Sequence, residues 1–589
     1  MVATFPRRTK LGLAVIILAG FVVSLFDLVG VGVVLPLMQV VTGAPLEGYL
    51  AQIHQWFGEP SRPRFTVYLT LTMVAAFLVK TILFAVLQWT TLKIVARMNV
   101  RTSTRLLASF LAEDYIDHRR RKTADLTRAV GTAVAMALTN VLGGLLSIVS
   151  QSLSLVMILT LLIITTPGPT LVALAYFGIS VFIIQRTLNG PNRREGAIAN
   201  ESALLAGQVL LDSMNGFREV RMHDSSTFFL ERYEHYKEQG AIASTKANFF
   251  GQLPKQLLEF ITIGGLALLL LSLGASSSDP GAMMPSLALF VAAAIRMLPV
   301  IVSITATLGS IAFGRSGLRT TAETLVAQGI SKQATADDSA EVVLDAEPLA
   351  LHEVGFQYPD GDRPVLSDIS LHVPIGSSIA LCGVSGSGKT TLVDIILGLL
   401  EPTQGEVRYG EMPIADLNKA WRDHVAYVPQ DVFVMNAPLR ENIAFGEWPD
   451  KIDDDRLANA IERAQLQGVV ADLPDGLDTV IGERGQRLSG GQRQRIGIAR
   501  ALYREPDVIV FDEATSALDN ATEHLISQTI ADLHGQVTTI IVAHRLSTVR
   551  GVDQLAFIEN GQLTALGTFD EVSADNENFA ELVRLGKLD

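Results

Sequence analysis

Residues 379–390 read Ile-Ala-Leu-Cys-Gly-Val-Ser-Gly-Ser-Gly-Lys-Thr. Four apolar residues in a row predict a short strand buried on both faces, and the apolar run 391–400 that follows predicts a helix. A glycine-rich loop between such a strand and such a helix is the P-loop in its required setting. Its glycines let backbone N–H groups close around phosphate oxygens at a helix N-terminus. Gly383, Ser385, Gly386, Ser387, Gly388, Lys389, Thr390 and Thr391 are therefore expected to hold nucleotide. Lys389 would reach the outer phosphates, and the Thr390 hydroxyl can ligate Mg²⁺.

Farther along, Val508-Ile509-Val510-Phe511 predicts a second buried strand, ending in Asp512-Glu513. A carboxylate at Asp512 is placed to hold Mg²⁺ through water. Glu513 beside it would polarise the attacking water as general base. The run 539–543 predicts a third strand, and His544 after it is the expected sensor of the terminal phosphate. A histidine at a strand end is more often structural than catalytic; its order after the other motifs assigns it the second role.

The rest of the chain has a different character. Of 589 residues, 49% are hydrophobic and only 18% charged, a skew toward proteins that meet lipid. The skew is confined to the part before about residue 314; from about 337 the sequence is charged and turn-rich. A net charge of −13 argues against a general nucleic-acid partner. The single cysteine, Cys382, excludes an intrachain disulfide framework and a cysteine-based metal site. It is in keeping with a cytosolic soluble half.

Residues 11–41 carry one charge, Asp27, and residues 65–92 only Lys80. Each run exceeds the ~20 residues a crossing needs. The first is too long for a signal-peptide core and shows no convincing cleavage site, so a retained helix is expected. Residues 129–166 are uncharged, and Pro167-Gly168-Pro169 then separates them from 170–185 as a helical hairpin. Runs 260–275 and 282–314 complete six crossings, joined by a polar turn at 276–281. Arg7, Arg8, Lys10 and the basic stretches 93–128 and 186–246 share one side, which the positive-inside rule assigns to the cytosol. The expected layout is a six-helix transmembrane domain over 1–320 with long cytosolic helical extensions, a linker over 321–347 and a soluble α/β P-loop domain over 348–589. Short transverse helices at 111–117 and 222–229 are expected to dock on that domain.

Between P-loop and acidic strand stands Leu488-Ser489-Gly490-Gly491-Gln492, which resembles the signature of the ATP-binding cassette family. The likeness runs from about residue 349 to the C-terminus. Phe356-Gln357-Tyr358 resembles the loop whose aromatic ring, here Tyr358, stacks on adenine. Val428-Pro429-Gln430 is similar to the Q-loop, with Gln430 between Mg²⁺ and the docking surface. Ser516-Ala517-Leu518-Asp519 resembles the D-loop, and residues 479–485 the segment that exporter cassettes apply to the membrane domain. The resemblance implies an exporter-type half-transporter whose ATP, with Mg²⁺, lies between two cassettes. Ser489, Gly491 and Gln492 of one chain would close on nucleotide held by the P-loop of the other. With the signature, Glu513 and His544 all present in one chain, a homodimer with two working sites is expected, in the cell membrane and with its cassettes in the cytosol.

The cargo is read from charges at bilayer depth, which cost several kcal/mol unless they face protein or water. Asp27, Lys80 and Arg296 lie mid-run, and Lys255 and Glu259 share a helix face. Three cations against two anions suggest a site for an anionic head group; the alternative is that they pair with one another, Asp27 with Lys80 first. Phe26-Asp27-Leu28-Val29-Gly30-Val31-Gly32, Asn215-Gly216-Phe217-Arg218-Glu219-Val220, Leu253-Pro254-Lys255 and Ala294-Ile295-Arg296-Met297-Leu298-Pro299 resemble bacterial lipid-linked oligosaccharide flippases of the family. That likeness implies a polyprenyl-diphosphate sugar as cargo, with Lys80, Lys255 and Arg296 drawn to the diphosphate. A drug, peptide or other lipid exporter would share the same engine. A separate-cassette importer, a soluble cassette acting on ribosomes or DNA, and a nucleotide-gated channel fit less well. A leader-cleaving peptide exporter, which would carry a peptidase-like domain before the first helix, is the less expected of these.

Overall fold

A computed structural model describes residues 7–43, 49–121, 123–165, 167–276, 280–327, 345–417, 419–482, 488–513, 520–543 and 549–584. The chain divides into two compact units, Met1–Glu113 with His118–Ala334, and Asp114–Asp117 with Thr335–Asp589.

The first unit is helical. α1 (Arg7–Gly32) runs almost without interruption into α2 (Val34–Val41), because Val33 N–H still reaches the Val29 carbonyl at 3.1 Å. After α3 (Tyr49–Trp56) comes α4 (Arg62–Leu111). Its 50 residues make a rod of about 75 Å, more than twice the ~30 Å of a hydrocarbon core. α5 (Tyr115–Arg120) and α6 (Thr123–Arg128) are short, and wide π-type turns at Ala129–Ala133 and Met136–Gly143 lead into α7 (Gly144–Thr165). Three long elements follow: α8 (Pro167–Asn215), then α10 (Ser226–Ser276) after the short α9 (Phe217–Met222), then α11 (Pro280–Ala327). Among the described residues five helical stretches are long and apolar enough to cross a membrane: Leu11–Val41, Arg62–Leu111, Leu126–Thr165, Thr170–Asn215 and Val291–Val326. The expected crossing at 260–275 lies within α10, and its side chains from 268 fall outside the described residues.

Four sequence expectations need correction here. α8 starts at Pro167 instead of 170: Pro167-Gly168-Pro169 separates α7 from α8 as expected, but as the first turn of α8, where proline's missing N–H costs nothing and its fixed φ suits a helix start. The first short helix is Tyr115–Arg120 instead of 111–117; α4 holds to Leu111, and Glu113 is clasped by Arg121 Nε at 2.9 Å. The second is Phe217–Met222 instead of 222–229. It stops in a Schellman turn, with Ser225 N–H on the Val220 carbonyl at 3.0 Å and Asp224 in the left-handed region at φ 48°. Finally, α11 continues to Ala327, past the expected domain boundary at 320.

α11 lies tight against the π turns. A Cβ on Gly317 would stand 2.7 Å from Met136 Cβ and 2.8 Å from the Ala133 carbonyl, so only glycine permits this approach.

The second unit holds two sheets. β1 (Leu349–Phe356), β2 (Leu366–Val373), β4 (Gln404–Tyr409) and β5 (Met412–Pro413) form an antiparallel sheet in the order β2-β1-β4-β5. β3 (Ser378–Cys382), β6 (Val425–Val428), β7 (Val508–Asp512), β8 (Thr538–Val542), β9 (Gln554–Glu559) and β10 (Gln562–Gly567) form the other, ordered β10-β9-β3-β8-β7-β6 and parallel except for β10. Alternate residues of β7 serve two cores: Val508 and Val510 face the side shared with the first sheet, Ile509 and Phe511 the helical side. This double burial is why the strands read as unbroken apolar runs. α12 (Lys389–Ile396) is shorter than the expected 391–400, since the chain turns at Leu397 with Gly398 at φ 70°.

Candidate active site

β3, β8, β7 and β6 are neighbours, and the register puts their C-terminal ends level: Leu381 pairs with Val542, Asp512 with Val542, and Val428 with Phe511. Loops leaving that edge carry the P-loop, Gln430 and the Asp512-Glu513 pair, the edge at which open parallel sheets bind ligands. Gly383 must be glycine because a Cβ there would overlap the Ile558 carbonyl. The loop then delivers Gly388 as the N-cap of α12. The first N–H groups of this eight-residue helix have no helical carbonyl to bond and point out of its end.

Lys389 is buried, and its Nζ donates to the carbonyls of Gly383 at 2.6 Å and Val384 at 3.2 Å. Burial pushes its ammonium below the ordinary value, while Cys382, Glu513 and Asp512 act in the opposite sense. Ser387 Oγ is buried in the same loop with no hydrogen-bond partner among the described residues. Ser385, Gly386 and Thr390 are exposed on the open side. The Tyr358 hydroxyl stands 3.3 Å from Thr391 Oγ1, and its ring meets Phe356 edge-on, which brings the expected adenine platform to α12.

The acidic pair is held by neutral donors. The Tyr427 hydroxyl donates to Asp512 Oδ2 at 3.0 Å, and Gln430 Nε2 donates to Glu513 Oε2 at 2.6 Å. Burial, then the Asp512 carboxylate, push the Tyr427 hydroxyl upward, so it stays a proton donor. Glu513 is in the left-handed region at φ 48°, fixed by its N–H on the Val542 carbonyl at 3.1 Å. A non-glycine residue held there costs about 1 kcal/mol or more, a strain found at functional positions. His544 and residues 516–519 and 483–485 lie outside the described residues.

The signature residues take another place. Ser489 caps the helix Gly490–Tyr503 in a box with Gln492, at 2.8 Å and 3.2 Å, and Gly491 is buried. Among the described residues no hydrogen bond joins Ser489, Gly491 or Gln492 to the P-loop. Their helix is tied instead to the Q-loop: Gln494 Nε2 donates to the Pro429 carbonyl at 3.2 Å, and Arg500 to the carbonyls of Phe433 and Asn442, both at 2.9 Å. The sequence reading missed Tyr427, Gln494 and Arg500. Tyr427 had one legible signal, its position at the end of the apolar strand that precedes Gln430.

In the helical unit Asp27 is 3% exposed, and four helices converge on it. Arg296 of α11 donates Nε to Oδ1 at 2.8 Å and places Nη2 on the same oxygen. Lys80 of α4 stands 3.5 Å from Oδ1, and Ser154 of α7 donates to Oδ2 at 2.8 Å. Two of the three cations expected to take an anionic cargo are thus engaged by a carboxylate of the protein. Lys255 is exposed on α10, outside this cluster, and forms no ion pair among the described residues.

Residues 366–516 match the ABC transporter family, and residues 21–300 the ABC transporter transmembrane region. An ATP-dependent lipid A-core flippase of Cupriavidus pinatubonensis is 30% identical over 80% of this chain and 79% of its own. One from Cupriavidus metallidurans is 32% identical over 79% and 78%. This chain belongs to the ABC transporter family. Its backbone matches a bacterial Atm1-family ABC exporter solved with ATP bound, at a TM-score of 0.76 over 98% of both chains and 22% identity, which establishes a shared fold. The ABC transporter is a multi-pass membrane half-transporter of exporter type whose cassette binds ATP and couples its hydrolysis to transport.

Proposed function

We propose that two copies of this chain form a flippase in the cell membrane, cassettes in the cytosol, which moves an amphipathic phosphorylated glycolipid from one leaflet to the other. The observation that carries the substrate class is the likeness to several flippases whose names specify lipid A-core. A polyprenyl-diphosphate oligosaccharide presents the same chemistry, phosphate and sugar on a long hydrocarbon. The basic stretches flanking the apolar helices support the cytosolic placement.

In this reading Glu513 takes the proton of the attacking water, and the Gln430 amide holds its carboxylate in line. Phosphate oxygens displace the carbonyls of Gly383 and Val384 from Lys389, a charge-assisted exchange. Thr390, Asp512 and Gln430 would supply Mg²⁺ with oxygen donors of the kind it prefers. When bound, that ion would neutralise charge on the phosphates; Tyr427 would hold Asp512 still toward it. His544 would sense the terminal phosphate, and the partner's signature helix would close the site. The tie from that helix to the Q-loop gives loss of phosphate a mechanical outlet.

The test is ATPase activity in phosphatidylcholine proteoliposomes with lipid A-core, with a polyprenyl-diphosphate sugar, or with a hydrophobic drug. Stimulation by either phosphorylated glycolipid, absent in Glu513→Gln, supports the proposal; stimulation by the drug alone would replace it with a multidrug exporter.

A further inference from the structure

Three cavities follow one another along α8 and α11. The first, about 290 Å³, is walled by apolar side chains such as Leu162, Leu174, Phe177, Met297 and Ile301. The second, about 390 Å³, shares Gln185 and Thr305 with the first and adds Asn189, Asn248, Gln252 and Ser310. The third, about 580 Å³, shares Asn189, Asn192, Gly309 and Phe313 with the second and is edged by Arg128, Arg193, Arg315 and Arg319 against the single acid Glu201. Arg319 is paired with Glu323 one turn along, at 2.7 Å. Among the described residues Arg128, Arg193 and Arg315 have no ion-pair partner. The tight approach at Gly317 is what brings Arg315 of α11 beside Arg128, the residue just before the π turns.

We infer that these cavities are one amphipathic binding track, in which Arg128, Arg193 and Arg315 take the phosphate of a lipid head group, the amides and hydroxyls take its sugars, and the Phe177–Met297 end takes its acyl chains. This rests on the glycolipid reading above and locates it. From Phe177 to Arg193 α8 rises about 24 Å, enough to separate the apolar and charged parts of one lipid. Guanidinium groups without a protein carboxylate fit phosphate bidentately. Lys80 and Arg296, by contrast, already have Asp27.

Full-length protein in phosphatidylcholine nanodiscs tests the track with three probes: a bisphosphorylated lipid A-type glycolipid, its dephosphorylated form, and sodium pyrophosphate. Half-saturation is read from stimulated ATPase, each variant normalised to its own unstimulated rate, and from lipid retained in mass spectra. Changing Arg128, Arg193 and Arg315 together to Gln should raise half-saturation for the bisphosphorylated lipid at least about tenfold, since each lost charge-assisted bond is worth roughly that much. The triple Lys variant, which keeps the charge, should lose much less, and the dephosphorylated lipid should bind wild type and Gln variant alike. Leu174→Trp, which fills the apolar end, should weaken both lipids and leave pyrophosphate binding as it was. Equal affinity of wild type and the Gln variant for the phosphorylated lipid would overturn the inference while the function stood. Pyrophosphate binding as tightly as the lipid would reduce the track to a free-anion site. If no lipid stimulates wild type, the glycolipid reading falls and the track with it.

Discussion

Asp27 is almost wholly buried and Glu513 only partly, and the groups that surround these two carboxylates differ as much. Asp27 is surrounded by two cations and a hydroxyl from three other helices, so its charge is spent inside the protein. Glu513 and its neighbour Asp512 each accept from a neutral donor, an amide and a phenol, and both also act on the Lys389 ammonium. The lesson is that a lone charge in an apolar run is conspicuous because the bundle needs it to close on itself.

The contrast is sharpest in turnover. Glu513→Gln should lower ATP hydrolysis by about 10²–10⁴-fold, the usual contribution of a general base, with nucleotide binding retained; a loss under threefold would move the base elsewhere. Removing Asp27 strikes stability instead. Asp27→Leu strands two partly buried cations and should cost about 3–5 kcal/mol, read as a fall in the melting midpoint in detergent. Adding Lys80→Met and Arg296→Met to it should recover most of the loss; a triple variant no better than the single would show that the cluster does more than hold helices. Tyr427→Phe should raise the Mg²⁺ concentration for half-maximal hydrolysis by about tenfold or more, the worth of one hydrogen bond to a charged group, with melting unchanged. A change in melting alone would make Tyr427 a packing residue.

The smallest effect concerns the thiol. Burial pushes Cys382 from 9.0 up to about 12, with Lys389 opposing. The folded protein therefore keeps the thiol protonated where the unfolded chain ionises it. Its contribution is complete below pH 9 and is lost as pH rises toward 12. Cys382→Ala should flatten the decline of cassette stability above pH 9, and native protein should resist maleimide at pH 8.

The cassette was legible because β3, β7 and β8 at its catalytic edge are buried on both faces and read as apolar runs, with the P-loop after one and Asp512 at the end of another. Val508–Asp512 and Ser378–Cys382 were placed to within a residue. Tyr427 escaped notice because a tyrosine ending an apolar strand reads as packing, and only the register with β7 sets it beside Asp512. In the membrane half the long helices were plain from their length, but their joints were not. A Schellman turn with aspartate instead of glycine at Asp224 carries no familiar mark, and prolines that read as a break begin α8. That Arg296 reaches Asp27 was hidden for a reason of distance: no local pattern relates residue 27 to residue 296.

The central claim is that ATP cleavage by this chain carries a phosphorylated glycolipid across a bilayer. A fluorescent glycolipid in the outer leaflet of liposomes, where outward-facing cassettes make that leaflet equivalent to the cytosolic one, becomes shielded from a membrane-impermeant quencher when it is moved inward. Wild type with ATP should progressively protect the lipid, and Glu513→Gln or wild type without ATP should not. Protection at the same rate in all three, or in none while wild type hydrolyses ATP, would contradict it.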